Sequence, residues 1–207
     1  MLKQLLLVLF LLSILSGCTS NTLLNTQTSP IATTTQERHQ QLLQLHSWSV
    51  KGKIAFIEQK KRQSANLYWL FEQKKQTVKQ QIDLTTFLGI NILHVESFNN
   101  RHTIEVDGEN YQGTDLTKLI YDLTGMLLPT EALTYWLKGI VYSENDHIIY
   151  QKNSPLPKTL LSDYYQKHWQ ISYQHFQIFQ GYQLPTKLEI KQGNLIIKIR
   201  LNHWSIK

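Results

Sequence analysis

Residues 48–56 read WSVKGKIAF. On an extended chain Trp48, Val50, Gly52, Ile54 and Phe56 fall to one side, and Ser49, Lys51, Lys53 and Ala55 to the other. A period of two with a mostly apolar and a mostly polar side marks a strand with one buried face. The same beat returns downstream at Leu67, Trp69 and Phe71, then at Val78, Gln80, Ile82 and Leu84. It continues over 90–95 and 103–106, with Gly108 in a turn. Strands recurring every 10–15 residues or so predict an antiparallel meander.

Helical spacing interrupts the strands twice. Thr34-Thr35-Gln36-Glu37 has the spacing of a capping box and predicts a short helix to about Leu45, with Leu42 and Leu45 on one side. Within 115–138, Leu116, Leu119, Ile120 and Leu123 keep a helical period, and Gly125 supplies a stop. Pro129 fits the first turn of a second helix carrying Leu133, Trp136 and Leu137, closed by Gly139. Strands are then expected at 147–151, 169–173 and 184–191. A turn at Gln192-Gly193-Asn194 leads to two last strands, 195–201 and 203–206.

Upstream of the folded region lies an address. Lys3 precedes an apolar run over 5–15. A membrane-spanning helix needs about 20 apolar residues, so this run fits the core of a signal peptide better than an anchor or a buried helix. Leu15-Ser16-Gly17-Cys18 resembles the lipobox of bacterial lipoproteins. That resemblance implies removal of residues 1–17, an S-diacylglycerol and an N-acyl group on Cys18, and no other cofactor. Thr19 stands where Asp would signal retention in the inner membrane, which implies the outer membrane, facing the periplasm. Residues 18–34, rich in Thr, Ser and Asn, read as a lipidated flexible tether with a reach of roughly 20–25 Å. Residues 35–207 read as the folded domain.

Composition excludes several classes. The 207 residues are 42% hydrophobic and 17% charged, with net charge +6 and one cysteine. Internal disulfides are impossible and general disorder is disfavoured. The basicity comes without a nucleic-acid-binding motif, so no nucleic-acid partner is expected. Eight histidines show neither His-x-His nor HExxH spacing, so no metal site is expected. There is no G-x-S-x-G elbow, and Glu58, Asp83, Glu105 and Asp107 form no obvious pair, so no catalytic residues and no enzyme activity are expected. Lys60-Lys61-Arg62 and Lys74-Lys75 lie between strands, as solvated hairpin tips or as contacts for anionic headgroups or an acidic partner. Thr85-Thr86-Phe87-Leu88-Gly89 is a turn with an apolar tip. Phe87 and Leu88 either fold back onto the core or meet a membrane or partner.

With these landmarks in order, the chain resembles the LolB family of outer-membrane lipoprotein receptors over about residues 46–207. The landmarks are residues 48–55, Leu88-Gly89 after a strand, Leu128-Pro129 followed by Leu133 and 136–139, then 169–173, Leu184-Pro185 and Trp204. Where the family often has proline, this chain has Phe87 and Ile140. The resemblance implies a mainly β (α+β) fold: an incomplete antiparallel β-barrel with a helical lid enclosing an apolar cavity. It implies a monomer that accepts lipoproteins from the periplasmic carrier LolA and inserts them into the outer membrane. Partners would be LolA, the acyl chains of client lipoproteins and outer-membrane phospholipid. Leu88, with Phe87 beside it, matches the family's protruding membrane-insertion loop. Candidate acyl-chain cavity walls are Trp48, Ile54, Leu67, Trp69, Ile82, Leu84 and Trp136, each also readable as ordinary packed core. Two other functions stay open: an anchored structural or scaffolding lipoprotein with a filled core, and a lipocalin-like binder of small amphiphiles.

Overall fold

The computed structural model describes residues 30–125 and 127–207. The expected signal peptide, Cys18 and the tether up to residue 29 lie outside the described residues. Helix α1 (Thr35–Leu43) opens the fold. Thr34 Oγ1 accepts from Glu37 N at 3.1 Å, and the Glu37 carboxylate accepts from Thr34 N at 3.1 Å, closing the capping box.

Six strands follow as three hairpins. They are β1 (Ser47–Glu58) with β2 (Lys61–Lys74), β3 (Thr77–Thr85) with β4 (Asn91–Phe98), and β5 (Arg101–Val106) with β6 (Glu109–Gly113). Two helices come next. Asp115 caps α2 (Leu116–Thr124) by accepting from Lys118 N at 2.9 Å, and Gly125 ends it in the left-handed region at φ 69°. Pro129 stands just ahead of α3 (Thr130–Trp136). The chain ends with β7 (His147–Tyr150), β8 (Pro157–Tyr164), β9 (Lys167–Phe179), β10 (Tyr182–Gln192) and β11 (Leu195–Ile206).

All eleven strands form one antiparallel sheet in the order β6-β5-β4-β3-β2-β1-β11-β10-β9-β8-β7. The first strand therefore sits in the middle, between β2 and the last strand. The sheet is not closed: β6 and β7 are its free edges. They are also consecutive in the chain, so the segment joining them carries α2 and α3 from one edge to the other. Leu133, Trp136 and Leu137 are fully buried in the same core as the sheet, and the Tyr173 hydroxyl donates to Trp136 O at 3.0 Å. The result is the half-barrel with covering helices that the resemblance implied.

Three strand expectations need correction. β6 and β8 were not foreseen. β6 is polar and almost wholly exposed, so it shows no alternation to read. In β8 a serine, Ser162, occupies an inward position between Leu160 and Tyr164, which breaks the apolar period. The two strands expected at 195–201 and 203–206 are one strand with a bulge. Lys51 pairs with His203 and Gly52 with Leu201, leaving Asn202 as the extra residue. Gly52 is required there, since a Cβ would lie 2.1 Å from the Arg200 carbonyl oxygen.

Among the described residues every buried apolar side chain lies between Leu42 and Trp204.

Candidate functional site

The 85–89 loop is built to expose its tip. Thr86 N donates to Ile90 O at 2.8 Å, and Gly89 N donates to Thr86 O at 3.0 Å. Thr86 Oγ1 accepts from Ile90 N at 3.1 Å, and Asn66 Nδ2 on β2 donates to Thr86 O at 2.9 Å. Gly89 turns the chain at φ +84°, which a side chain would resist. With the backbone so held, Phe87 is 88% exposed, Leu88 82% and Ile90 64%. They do not fold back onto the core. The sequence reading did not single out Ile90 for this tip, because it assigned that residue to the following strand.

The seven candidate cavity residues are inward-facing and at most 4% exposed. Trp48, Ile54, Leu67, Trp69, Ile82 and Leu84 stand together on β1, β2 and β3, where Trp69 pairs with Val50 and Ile82, and Leu67 with Gly52 and Leu84. Trp48 packs against Trp69, Phe71 and Trp204 with ring centroids 5.5–6.0 Å apart. Trp136 is separate: it rides on α3 and meets Trp169 at 5.7 Å and Tyr164 at 6.3 Å. At such low exposure these side chains pack chiefly against the protein's own residues. Two of them retain an unusual feature. Among the described residues, Trp48 Nε1 and Trp136 Nε1 are buried without a hydrogen-bond partner, a state that costs about 1–3 kcal/mol each.

Clefts also lie at the margins of the fold. A cleft of about 860 Å³ separates the ends of β1 and β2 from α2, lined by Phe56, Gln63, Tyr121, Leu127, Tyr165 and Leu195 among others. This falls within the ~300–1,000 Å³ of small-ligand clefts. A smaller one of about 340 Å³ lies beside α3, where Gln80, Ser97, His102 and Thr134 share its walls with Phe71, Val78 and Leu116. His102 Nδ1 is 2.8 Å from Ser97 Oγ, and burial holds this imidazole below its ordinary pKa. A third space of about 440 Å³ lies around His147, Asp163 and His168. None of the seven candidates borders any of the three.

The covering helices are tied down by two buried cations, which sequence reasoning missed. Arg38 on α1 donates from Nη1 to Gly139 O at 2.9 Å and from Nη2 to Lys138 O at 2.8 Å. Lys138, just past α3, donates back from Nζ to Leu42 O at 3.2 Å and more weakly to Leu45 O at 3.5 Å. Each cation thereby satisfies carbonyls at the other helix's C-terminal end, where the helix dipole is negative. Burial lowers Arg38 to about 10 and Lys138 to about 8, and no ion pair with a carboxylate forms at either among the described residues. No local pattern distinguishes these two cations from exposed ones.

Among the described residues no group of three or more His, Cys, Asp and Glu converges as a metal site. Among them no helix is long and apolar enough to cross a membrane.

With this geometry in hand, comparison with known proteins is informative. The sequence profile of the family described as "Outer membrane lipoprotein LolB" matches residues 46–204. "Outer-membrane lipoprotein LolB" of Pseudoalteromonas translucida is 35% identical over 191 residues, 92% of this chain and 88% of that one. Its namesake in Psychromonas ingrahamii is 32% identical over 207 residues, covering 96% and 94%. Among solved structures, a LolA superfamily protein from Nitrosomonas europaea superposes with a TM-score of 0.54 at 7% identity, over 85% of this chain and 94% of that one. A DUF1329 family protein from Desulfovibrio piger does so with a TM-score of 0.55 at 8% identity, over 84% and 90%. At those identities the likeness is one of fold.

Proposed function

The chain belongs to the LolB family of outer-membrane lipoproteins, and from that premise we propose that it takes lipoproteins from the periplasmic carrier LolA and inserts them into the outer membrane. The observation that carries this reading is the apolar tip, Phe87-Leu88, held out into solvent by a hydrogen-bonded loop. Burying a Leu or Phe side chain is worth about 1.5–3 kcal/mol. A tip that leaves both in water is therefore waiting for an apolar phase, and the bilayer beside the anchor is the nearest. The anchor is the proposed triacylated Cys18, which needs no metal or cofactor.

The packed interior shapes the mechanism. A hollow greasy cavity filled with water would be unfavourable, so α3 acts as a place-holder, with Leu133, Trp136 and Leu137 buried in it. Acyl chains entering by the 860 Å³ cleft exchange one apolar contact for another as the helices yield. The seven inward residues, Trp48, Ile54, Leu67, Trp69, Ile82, Leu84 and Trp136, become acyl contacts only after that displacement. The unpartnered indole N–H groups of Trp48 and Trp136 would then find acceptors in the ester and amide carbonyls at the head of a lipoprotein's acyl chains. No step requires bond making or breaking. A tenfold bias per hand-over needs about 1.4 kcal/mol.

The packed inner face also suits the rival reading of an anchored structural lipoprotein. One experiment separates them: offer the purified protein a LolA-bound lipoprotein in the presence of vesicles. Transfer to vesicles is expected for the wild type, and a Leu88→Glu variant should accept the client yet fail to insert it. Normal insertion by Leu88→Glu removes the role given to the loop. No uptake by the wild type favours the structural reading, and uptake of free fatty acid without any carrier favours an amphiphile binder.

A further inference from the structure

The register of the sheet places three cations side by side on its outer face, away from the helices. Lys53 on β1 pairs with Arg200 on β11, and Arg200 pairs with Lys187 on β10. All three are exposed. Directly opposed like charges on adjacent strands sit about 5 Å apart at Cβ and destabilise the pairing. Among the described residues none of the three has an ion pair. The single acid on the outer faces of β1, β10 and β11 is Glu189, and it is already taken by Lys191 at 3.2 Å and Lys198 at 3.1 Å. Other acids of this face stand on other strands: Asp83, two residues before Thr85, is engaged by His94, Glu72 on β2 by Lys207 at 3.4 Å and Asp163 on β8 by His168, while Glu96 and Glu105 lie on β4 and β5.

The same row runs into the apolar loop. Lys53 pairs with Asn66, and Asn66 with Thr85, while the Asn66 amide donates to Thr86 O at 2.9 Å. At about 4.8 Å per strand, the cations lie roughly 10–20 Å from the root of the loop. A self-repelling basic row tied to an exposed apolar tip is complementary to one kind of surface, an apolar phase edged with negative charge.

We propose that the Lys53–Arg200–Lys187 row docks on anionic phospholipid headgroups, laying the outer face of the sheet beside the membrane while Phe87 and Leu88 enter it. This rests on the reading that the loop meets the bilayer, and it adds the lipid class and the orientation. A cation near an anionic surface contributes about fivefold to partitioning, so three contribute about 100-fold. The effect fades with salt, because the screening length is about 10 Å at 0.1 M and about 3 Å at 1 M.

The test is co-sedimentation of the chain from Thr19 onward, which keeps every described residue, with phosphatidylcholine vesicles with or without phosphatidylglycerol. The wild type is expected to prefer the phosphatidylglycerol vesicles by about 100-fold at low salt. A Lys53→Glu/Lys187→Glu/Arg200→Glu variant should lose that preference and still bind neutral vesicles, and Leu88→Glu should weaken binding to both. The Gln triple variant, which adds no charge, should fall between. A wild type without anionic preference, or a triple variant that keeps it, overturns the proposal while leaving the loop reading intact. Failure of the wild type to bind any vesicle removes the loop reading as well. A triple variant that binds vesicles normally but no longer receives cargo from LolA assigns the row to an acidic protein and overturns the lipid assignment.

Discussion

Replacing Lys138 by Met should abolish a rise in stability with pH that is expected of the wild type in alkali. Lys138 is 5% exposed, its Nζ meets only carbonyl oxygens and the Tyr135 ring at 5.3 Å, and burial alone lowers it from 10.5 to about 8. Between those two values the unfolded chain holds a proton that the folded chain has released. Unfolding then takes up protons, so stability rises with pH across the window and is flat below it. At about 1.4 kcal/mol per tenfold, the full rise is about 3 kcal/mol. Near neutral pH the substitution itself is close to balanced. It removes the burial penalty of the cation, and it forfeits a charged hydrogen bond of about 1.5–3 kcal/mol and leaves Leu42 O unpaired. The assay is urea unfolding followed by tryptophan fluorescence, for both proteins, from neutral pH to about 10.5. Subtracting the two curves cancels Arg38 and the tyrosines, leaving a difference that shifts by about 3 kcal/mol in favour of the wild type. Parallel curves would refute the view of Lys138 as a buried cation without a carboxylate partner.

Other perturbations have equally definite outcomes. Gly52→Ala puts a methyl 2.1 Å from Arg200 O; backbone must move, and a loss of about 1–3 kcal/mol or more is expected in the same unfolding assay. Arg38→Leu strips the carbonyls of Lys138 and Gly139 of their donors. Amide exchange around the end of α3 should quicken, with global stability falling by about 1–3 kcal/mol for each buried carbonyl left without a donor. Thr34→Ala removes one half of the capping box and should cost about 1 kcal/mol. Leu88→Glu, by contrast, should leave thermal unfolding within about 0.5 kcal/mol of wild type, because the side chain is already in water.

Strand reading succeeded where one face of the strand is covered and the other is wet, as in β1 to β5 and β9 to β11. It failed at β6, which is wet on both faces, and at Ser162, where a polar side chain turns inward in β8. Gln192-Gly193-Asn194 marked its hairpin, whereas Asn202 suggested a break where the strand merely bulges. For the site, the apolar composition of 85–89 was visible, but its exposure depends on hydrogen bonds from Thr86 and Asn66 that no local pattern announces. The Arg38 and Lys138 contacts join residues about a hundred apart in the chain. The Lys53–Arg200 pair is more distant still. Such partners are set by topology, and single-sequence periodicity carries no trace of them.

The two sheet edges are neighbours along the chain, and that has a mechanical corollary. The flap between them is fastened at both jambs, so it bows outward and never swings away. In the proposed hand-over, guests would therefore wedge themselves beneath a strap that stays in place. On their departure the strap, tethered at both ends, would return as an intramolecular step and reseal the greasy face.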